Sequence, residues 1–266
     1  MSFMPNNEKI VELLWTGGYD STFRIVQLSK LPVVIKPYYL QDNRGICEEK
    51  ELQAINEISE SLKNKPDTRC DLLDIEIVPI KDRTVDKDIS AAYSKLQKQF
   101  NLGSQYEWLA CFAKMHKGIE ISLEKCESPS FRAFNKYIVL ERINDPQIGE
   151  YLMVDENKSQ KDTVILFKDY HFPIFEFTKL QMKDEYIRLG CEDIMNLTWF
   201  CFTPINGKPC GICNPCNITI NEGLTWRFSE SALKRNRFRS VIKWYERMCN
   251  KYPSVVNIFR KFIWKD

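Results

Sequence analysis

Histidine is nearly missing: only His116 and His171 occur among 266 residues, so a histidine-rich metal site is excluded by arithmetic. Long apolar runs are missing too. None approaches the ~18 residues that a membrane-spanning helix needs, so no membrane span is expected. The stretch from Met1 to Lys9 is polar and lacks the apolar centre of a secretion signal, which leads to an expected cytoplasmic location. No charge of one sign prevails: 38 Lys and Arg face 36 Asp and Glu, a net charge of +2. Such balance gives no general attraction to nucleic acid or membrane, so any phosphate binding must come from a local site. What is present is core-forming material. Apolar residues make up 44% and aromatics 12%, ample for a folded core. The length suits one large domain, or a core with a small appendage.

Ile10 to Trp15 is a short apolar run, broken by Glu12, that ends at Thr16-Gly17-Gly18. A helix is expected from Ser21 to about Ser29, a second strand from Leu31 to Tyr39, and a helix from Glu48 to Leu62 with Leu52, Ile55 and Ile58 on one face. A third strand is expected over Leu72 to Ile80. Helices are expected over Asp88 to Phe100 and Ser104 to His116, and a fourth strand over Ile119 to Leu123. This alternation predicts an α/β fold, a parallel sheet flanked by helices. Tyr137 to Leu140 and Val164 to Phe167 read as strands, Asp155 to Asp162 as a polar loop, and Lys179 to Leu189 as a helix stopped by Gly190. Cys201 to Cys216 reads as loop, and Ser229 to Asn250 as helix. The expected division is residues 1–195 as an α/β domain and 196–266 as a metal-binding segment with a helical tail.

Thr16-Gly17-Gly18-Tyr19-Asp20-Ser21-Thr22 is the strongest signal of the first half. Glycines between a strand and a helix let the backbone come close to a ligand. The helix start adds free N–H groups and the positive end of its dipole, an anion pocket suited to phosphates. Thr16, Ser21 and Thr22 add hydroxyls. Asp20 would repel phosphate unless a cation lay between them, and magnesium suits oxygen ligands. The plain reading is a tight turn in which Gly17 and Gly18 serve geometry alone. The string is neither Gly-Lys-Ser/Thr nor GxGxxG.

Cys201, Cys210, Cys213 and Cys216 follow the spacing C-x8-C-x2-C-x2-C. Four thiolates suit tetrahedral zinc in a closed structural site, with no open position for a reacting water. An iron–sulfur cluster, or a redox dithiol at Cys210 and Cys213, could use the same residues. Ten cysteines in a long chain without an export signal favour ligands and thiols over disulfides. Cys47, Cys70, Cys111, Cys126, Cys191 and Cys249 read as small apolar residues.

The TGGYDS string resembles the SGGxDS signature of the pyrophosphatase-loop (PP-loop) ATP pyrophosphatases, with Thr16 in place of the first serine. Met182-Lys183-Asp184-Glu185 resembles the lysine-bearing helix of that class. Leu197-Thr198-Trp199-Phe200-Cys201 and Pro209-Cys210-Gly211-Ile212-Cys213-Asn214-Pro215-Cys216 resemble the Thr-Trp-Ser-Cys and Cys-Gly-x-Cys-x-x-Cys signature of the 7-cyano-7-deazaguanine synthase family. The likeness covers residues 10–60 and 170–225, with the middle alike only in outline. It implies a Rossmann-like, adenine nucleotide alpha-hydrolase-like fold with a small C-terminal zinc region. It implies ATP and Mg2+ at Thr16, Gly17, Gly18, Tyr19, Asp20, Ser21 and Thr22, with Asp20, Ser21 and Lys183 in catalysis, and Zn2+ on the four cysteines. The implied reaction adenylates 7-carboxy-7-deazaguanine. Ammonia then gives an amide, and a second activation gives the nitrile. A homodimer is a further expectation. Relatives in anti-phage clusters suggest a variant that joins a deazaguanine to an amine of a partner protein. A module that binds nucleotide and zinc without catalysis is another reading, and a tRNA-modifying enzyme a third.

The chain departs from the family at Glu124-Lys125-Cys126-Glu127-Ser128-Pro129, where the family carries a Tyr-Ser-Gly-Tyr-Pro-Asp segment. It departs again at Ser104-Gln105, in place of Arg-Asn, and at Phe200, in place of serine. Trp199 and Trp226 read as packing around the metal segment. Gln41 and Arg44 lie where adenine or substrate contacts are common. Glu48 and Glu49 read as surface charge, and both histidines as structural. Lys234, Arg235, Arg237, Arg239 and Lys243 read as a solvated face, with an acidic partner or RNA as the sharper alternative.

Overall fold

The computed structural model describes residues 9–42, 44–82, 84–123 and 135–251. The chain divides into two compact units, Met1–Trp199 and Phe200–Asp266, against the 195/196 division expected from sequence.

The first unit is built on a parallel sheet. Strand β1 (Ile10–Leu14) pairs with β2 (Val34–Gln41) on one side and β5 (Ile119–Glu120) on the other. Beyond β2 lie β3 (Asp71–Leu72) and β4 (Glu76–Pro79), which both pair with it. Beyond β5 lies β8 (Tyr170–His171). The strand order therefore reverses at β1. The chain runs outward to β2, β3 and β4, then returns to the far side of β1. In an open parallel sheet, the crevice at such a reversal, outside the carboxyl ends of the strands, is where ligands bind. The residues after Leu14 leave the carboxyl end of β1 at that reversal.

Helix α1 (Tyr19–Ser29) follows β1, and α2 (Ile46–Lys63) follows β2. Helices α3 (Lys87–Phe100) and α4 (Gln105–Met115) pack with α5 (Lys161–Phe167) over Leu14, Tyr38 and Leu40. Helices α6 (Lys179–Arg188) and α7 (Glu192–Asn196) pack against α1. A hairpin of β6 (Leu140–Asp145) and β7 (Gly149–Val154) lies beside β8 through a Leu152–Phe172 bridge. The Asp145 carboxylate turns its corner, accepting from the N–H groups of Gln147 at 2.9 Å and Ile148 at 3.2 Å.

Some sequence expectations change. Val164 to Phe167 is helix rather than strand, because Gln160 sits extended at its N-cap and Leu166 and Phe167 turn into the helical layer. The expected third strand is broken into β3 and β4, and the fourth ends at Glu120. Tyr137 to Val139 is turn and loop leading into β6. Glu124–Pro129, including Cys126, lies outside the described residues. Among the described residues no helix is long and apolar enough to cross a membrane.

A buried ion pair ties α1 to β5. Arg24 donates to Glu120 twice, Nε to Oε2 at 2.8 Å and Nη2 to Oε1 at 2.7 Å, and Nη2 also reaches the Ile148 carbonyl at 3.2 Å. Both side chains are at most 5% exposed.

The second unit contains α8 (Asn214–Asn221), α9 (Glu230–Arg237) and α10 (Arg239–Lys251). Ser229 caps α9 by accepting from the Ala232 N–H at 3.3 Å. The expected single tail helix is thus two, divided at Phe238.

Removing one partner of a buried pair strands the other charge, a loss of ~3–5 kcal/mol. Arg24→Met is therefore expected to lower stability by about that amount in urea unfolding. Arg24→Met with Glu120→Leu should recover most of it.

Candidate functional site

The glycine loop is held by its neighbours on every side. The Trp15 N–H donates to the Tyr38 carbonyl at 2.8 Å, carrying the sheet register one residue past β1. Gly17 has φ +67°, the left-handed region that favours glycine. A Cβ there would stand 2.7 Å from the Glu51 carbonyl oxygen and 3.1 Å from Ile55 Cγ1. Its own carbonyl accepts from the Trp199 N–H at 2.9 Å. Gly18 is the N-cap of α1 and makes no side-chain cap. A loop with no capping side chain leaves the helix-start N–H groups to another acceptor, which is the chemistry of an anion site.

The loop's side chains divide into two sets. Thr16 is exposed, and its Oγ1 lies 3.5 Å from Ser21 Oγ, which also accepts from the Thr16 N–H at 3.4 Å. Thr22 is fully buried, and its hydroxyl accepts from Trp15 Nε1 at 3.0 Å, so it braces the loop from beneath. Asp20 is half-buried and paired with the ammonium of Lys179. Tyr19 Oη donates to the Lys179 carbonyl at 3.3 Å, and the Lys179 ammonium lies 5.3 Å from the Tyr19 ring centre.

Lys179 was not among the expected site residues. It opens α6 behind Thr178 and Gln181, which form a reciprocal capping box that places the helix start beside that of α1. The Thr-x-x-Gln spacing was the available signal. Lys183 stands one turn further along, half-buried.

A buried polar network stands beside Gly17 at the carboxyl end of β2. Glu51 accepts from Tyr39 Oη at 2.7 Å and from Arg44 at 2.7 and 3.2 Å, and Cys47 Sγ lies 3.5 Å away. Burial pushes the Glu51 carboxyl up, against the pull of Arg44. Burial and then Glu51 push the Cys47 thiol up to about 12, so Cys47 stays protonated and inert. Glu48 is buried rather than surface charge, because Gln41 Nε2 donates to it at 2.6 Å, while Glu49 is exposed as expected. Both histidines pack structurally: His116 against Glu12 at 3.1 Å, and His171 stacked on Tyr151 at 4.1 Å. A cavity of about 430 Å³ lies along the later half of α1, lined by Arg24, Gln27, Lys30 and Arg142, away from the glycine loop.

In the second unit the four expected cysteines meet. Their sulfurs all lie within 4.8 Å of one another, with Cys210–Cys216 at 3.8 Å and Cys201–Cys213 at 3.9 Å. A Zn–S bond of ~2.3 Å gives a tetrahedron with edges of about 3.8 Å, so the spacing fits zinc. Backbone N–H groups of Ile212 and Cys213 each donate to Cys210 Sγ at 3.3 Å, and that of Cys210 to Cys201 Sγ at 3.3 Å. Bonds from the neighbouring thiols, Cys201 first, hold Cys210 and Cys213 below the ordinary thiol range, Cys213 at about 6.

No family model matches the chain, and no curated protein matches it.

The basic tail is not simply a solvated face. Arg235 Nε donates to the Cys210 carbonyl at 3.0 Å, Asn236 Nδ2 to that of Gly211 at 2.8 Å, and Arg239 Nε to that of Ile212 at 2.9 Å. Gly211 has φ +82°, and a Cβ on it would stand 2.1 Å from the Ala232 carbonyl oxygen. Three consecutive carbonyls of the cysteine turn are thus gripped by α9 and the start of α10, an outer layer that fixes ligand geometry. Arg235→Met and Asn236→Leu are each expected to weaken zinc about 10–100-fold, read by competition with a chromophoric chelator. Gly211→Ala should lower Tm in the zinc-loaded protein, because neither neighbouring backbone can withdraw by that distance.

Proposed function

We propose that the chain is an ATP-dependent ligase of the PP-loop kind, which adenylates a carboxylate for attack by a nitrogen nucleophile. One observation carries this reading: a helix start without a side-chain cap, reached through a glycine that tolerates no Cβ, lies where the strand order reverses. The resemblance of TGGYDS to the PP-loop signature supplies the nucleotide class.

In this reading the backbone N–H groups after Gly17, with the hydroxyls of Thr16 and Ser21, receive the pyrophosphate part of ATP. Magnesium, when bound, would offset phosphate charge at Asp20. Lys179 pairs with Asp20, and its ammonium would be free to offset phosphate charge if magnesium engaged that carboxylate. Lys179 thereby takes the part that the resemblance implied for Lys183. A carboxylate oxygen attacks the α-phosphorus, the bond to the β-phosphate oxygen breaks, and pyrophosphate leaves. The amine then attacks the acyl carbon, loses a proton and expels AMP, giving an amide. The proposed acid is 7-carboxy-7-deazaguanine and the proposed amine ammonia, with the nitrile formed by a second activation of the amide. A protein amine as nucleophile is the second reading. It is favoured by Glu124–Pro129, which stands where the family carries Tyr-Ser-Gly-Tyr-Pro-Asp.

The test incubates the protein with ATP, Mg2+, the acid and ammonia, and measures AMP and pyrophosphate. Both are expected in equal amounts and only with acid present. Asp20→Ala should lower the rate by ~100-fold or more, the size of losing one aimed charge in an active site. Lys179→Met should cost more than Lys183→Met. ATP binding with no AMP over any acid would leave only the non-catalytic module.

A further inference from the structure

The near-neutral charge of the whole chain hides a division. Residues 200–266 carry 12 Lys and Arg against 4 Asp and Glu, net +8, whereas residues 1–199 carry 26 against 32, net −6. Much of the excess lies on α9 and α10.

Helix α10 sorts its residues into rows. Lys243 and Arg247 stand four positions apart and form a basic row, headed by Arg239, whose Nε donates to the Ile212 carbonyl. Val241, Trp244 and Met248 lie on a neighbouring sector, with Phe238 at its head. These four are 60%, 57%, 39% and 63% exposed, respectively, whereas Ile242 of the same helix is 6% exposed. An apolar row this open on a folded surface marks an interaction site.

We propose that the outer face of α10 docks an acidic polypeptide bearing apolar side chains. Charge selects the occupant. A second copy of this face would set two basic rows against each other, a like-charge contact that disfavours pairing. Nucleic acid would satisfy the basic row but offers no aliphatic surface for Val241 and Met248. A lipid surface takes a helix by its whole apolar face, and here Ile242 is already buried. A polypeptide with carboxylates beside apolar anchors meets both rows at once, in the helix-and-groove mode with anchors on one stripe. Trp244 and Phe238 are the side chains that carry most energy when such a stripe is covered. The inference stands apart from the nucleotide reading, because every residue in it belongs to the second unit.

The experiment uses the full zinc-loaded chain at about 50 mM NaCl, where surface charges act over ~14 Å or less. The probe is a fluorescein-labelled copolymer of Glu and Tyr, rich in Glu, followed by anisotropy. Saturable binding is expected, at least about tenfold tighter than to polyglutamate alone. Val241→Ser with Trp244→Ser should weaken the copolymer about tenfold or more, and so should Lys243→Gln with Arg247→Gln. Zinc content and Tm should be unchanged in both, as the exposed Val241, Trp244 and Arg247 and the half-buried Lys243 allow. Wild-type affinity in either variant, or equal binding of copolymer and polyglutamate, overturns the proposal. So does tighter binding to poly(U) or to phosphatidylserine vesicles, or a self-association lost with Trp244→Ser.

Discussion

No side chain fits between residue 17 and the Glu51 carbonyl, where an ideal Cβ would stand 2.7 Å from the oxygen. That single closeness sets the local geometry of the first unit. It lets α2 press against the end of β1 and bring Ile55 and Ala54 under the loop. It frees the Gly17 carbonyl to receive Trp199, and leaves α1 starting on Gly18 with no side chain closing it. An alanine here would have to push back helix backbone, and the left-handed φ would add strain of its own. The buried Tyr39–Glu51–Arg44 network has its explanation in the same place. It fixes the stretch of α2 whose backbone touches the loop.

The second unit rests on a different constraint. Among its described residues the fully buried positions are few: Cys201, Cys210, Cys216 and Ala232 are at 0% exposure, with Leu224 at 1%. Three of these five are metal-ligand candidates. Ile212, Phe228 and Ile242 add buried apolar surface at 6–9% exposure, so among the described residues the sulfurs sit at the centre of a small core. A bound metal would add stability there, because ligand binding then counts as folding free energy. The grip of Arg235, Asn236 and Arg239 on the cysteine turn makes that centre rigid as well as stable.

The legible parts of the chain were those where one residue type had no substitute. Gly17 and the four cysteines could be read directly, because left-handed backbone and a cluster of soft metal ligands each admit few residues. The alternation of strand and helix showed the parallel sheet. Less was legible where the decision was tertiary. Val164–Phe167 is a short apolar run that suits strand or helix equally, and its packing on α3 settled it. Lys179 and Lys183 lie on one helix, and only the placement of the capped helix start shows which of them meets Asp20. Glu48 looked like one of two surface acids until Gln41 across the loop accounted for its burial. The charge division between the units was present in the sequence, but invisible until a boundary gave two sums to compare.

The bond from the Trp199 N–H to the Gly17 carbonyl joins two points that are far apart along the chain. Non-local closures of this kind come late in folding, after the intervening segments have found their places. A ribosome releases β1 and α1 early, long before residue 199 emerges. The nascent protein must therefore carry an unfinished cradle through most of its synthesis. The turn after β1 is completed only by a residue that emerges some 180 positions later in synthesis.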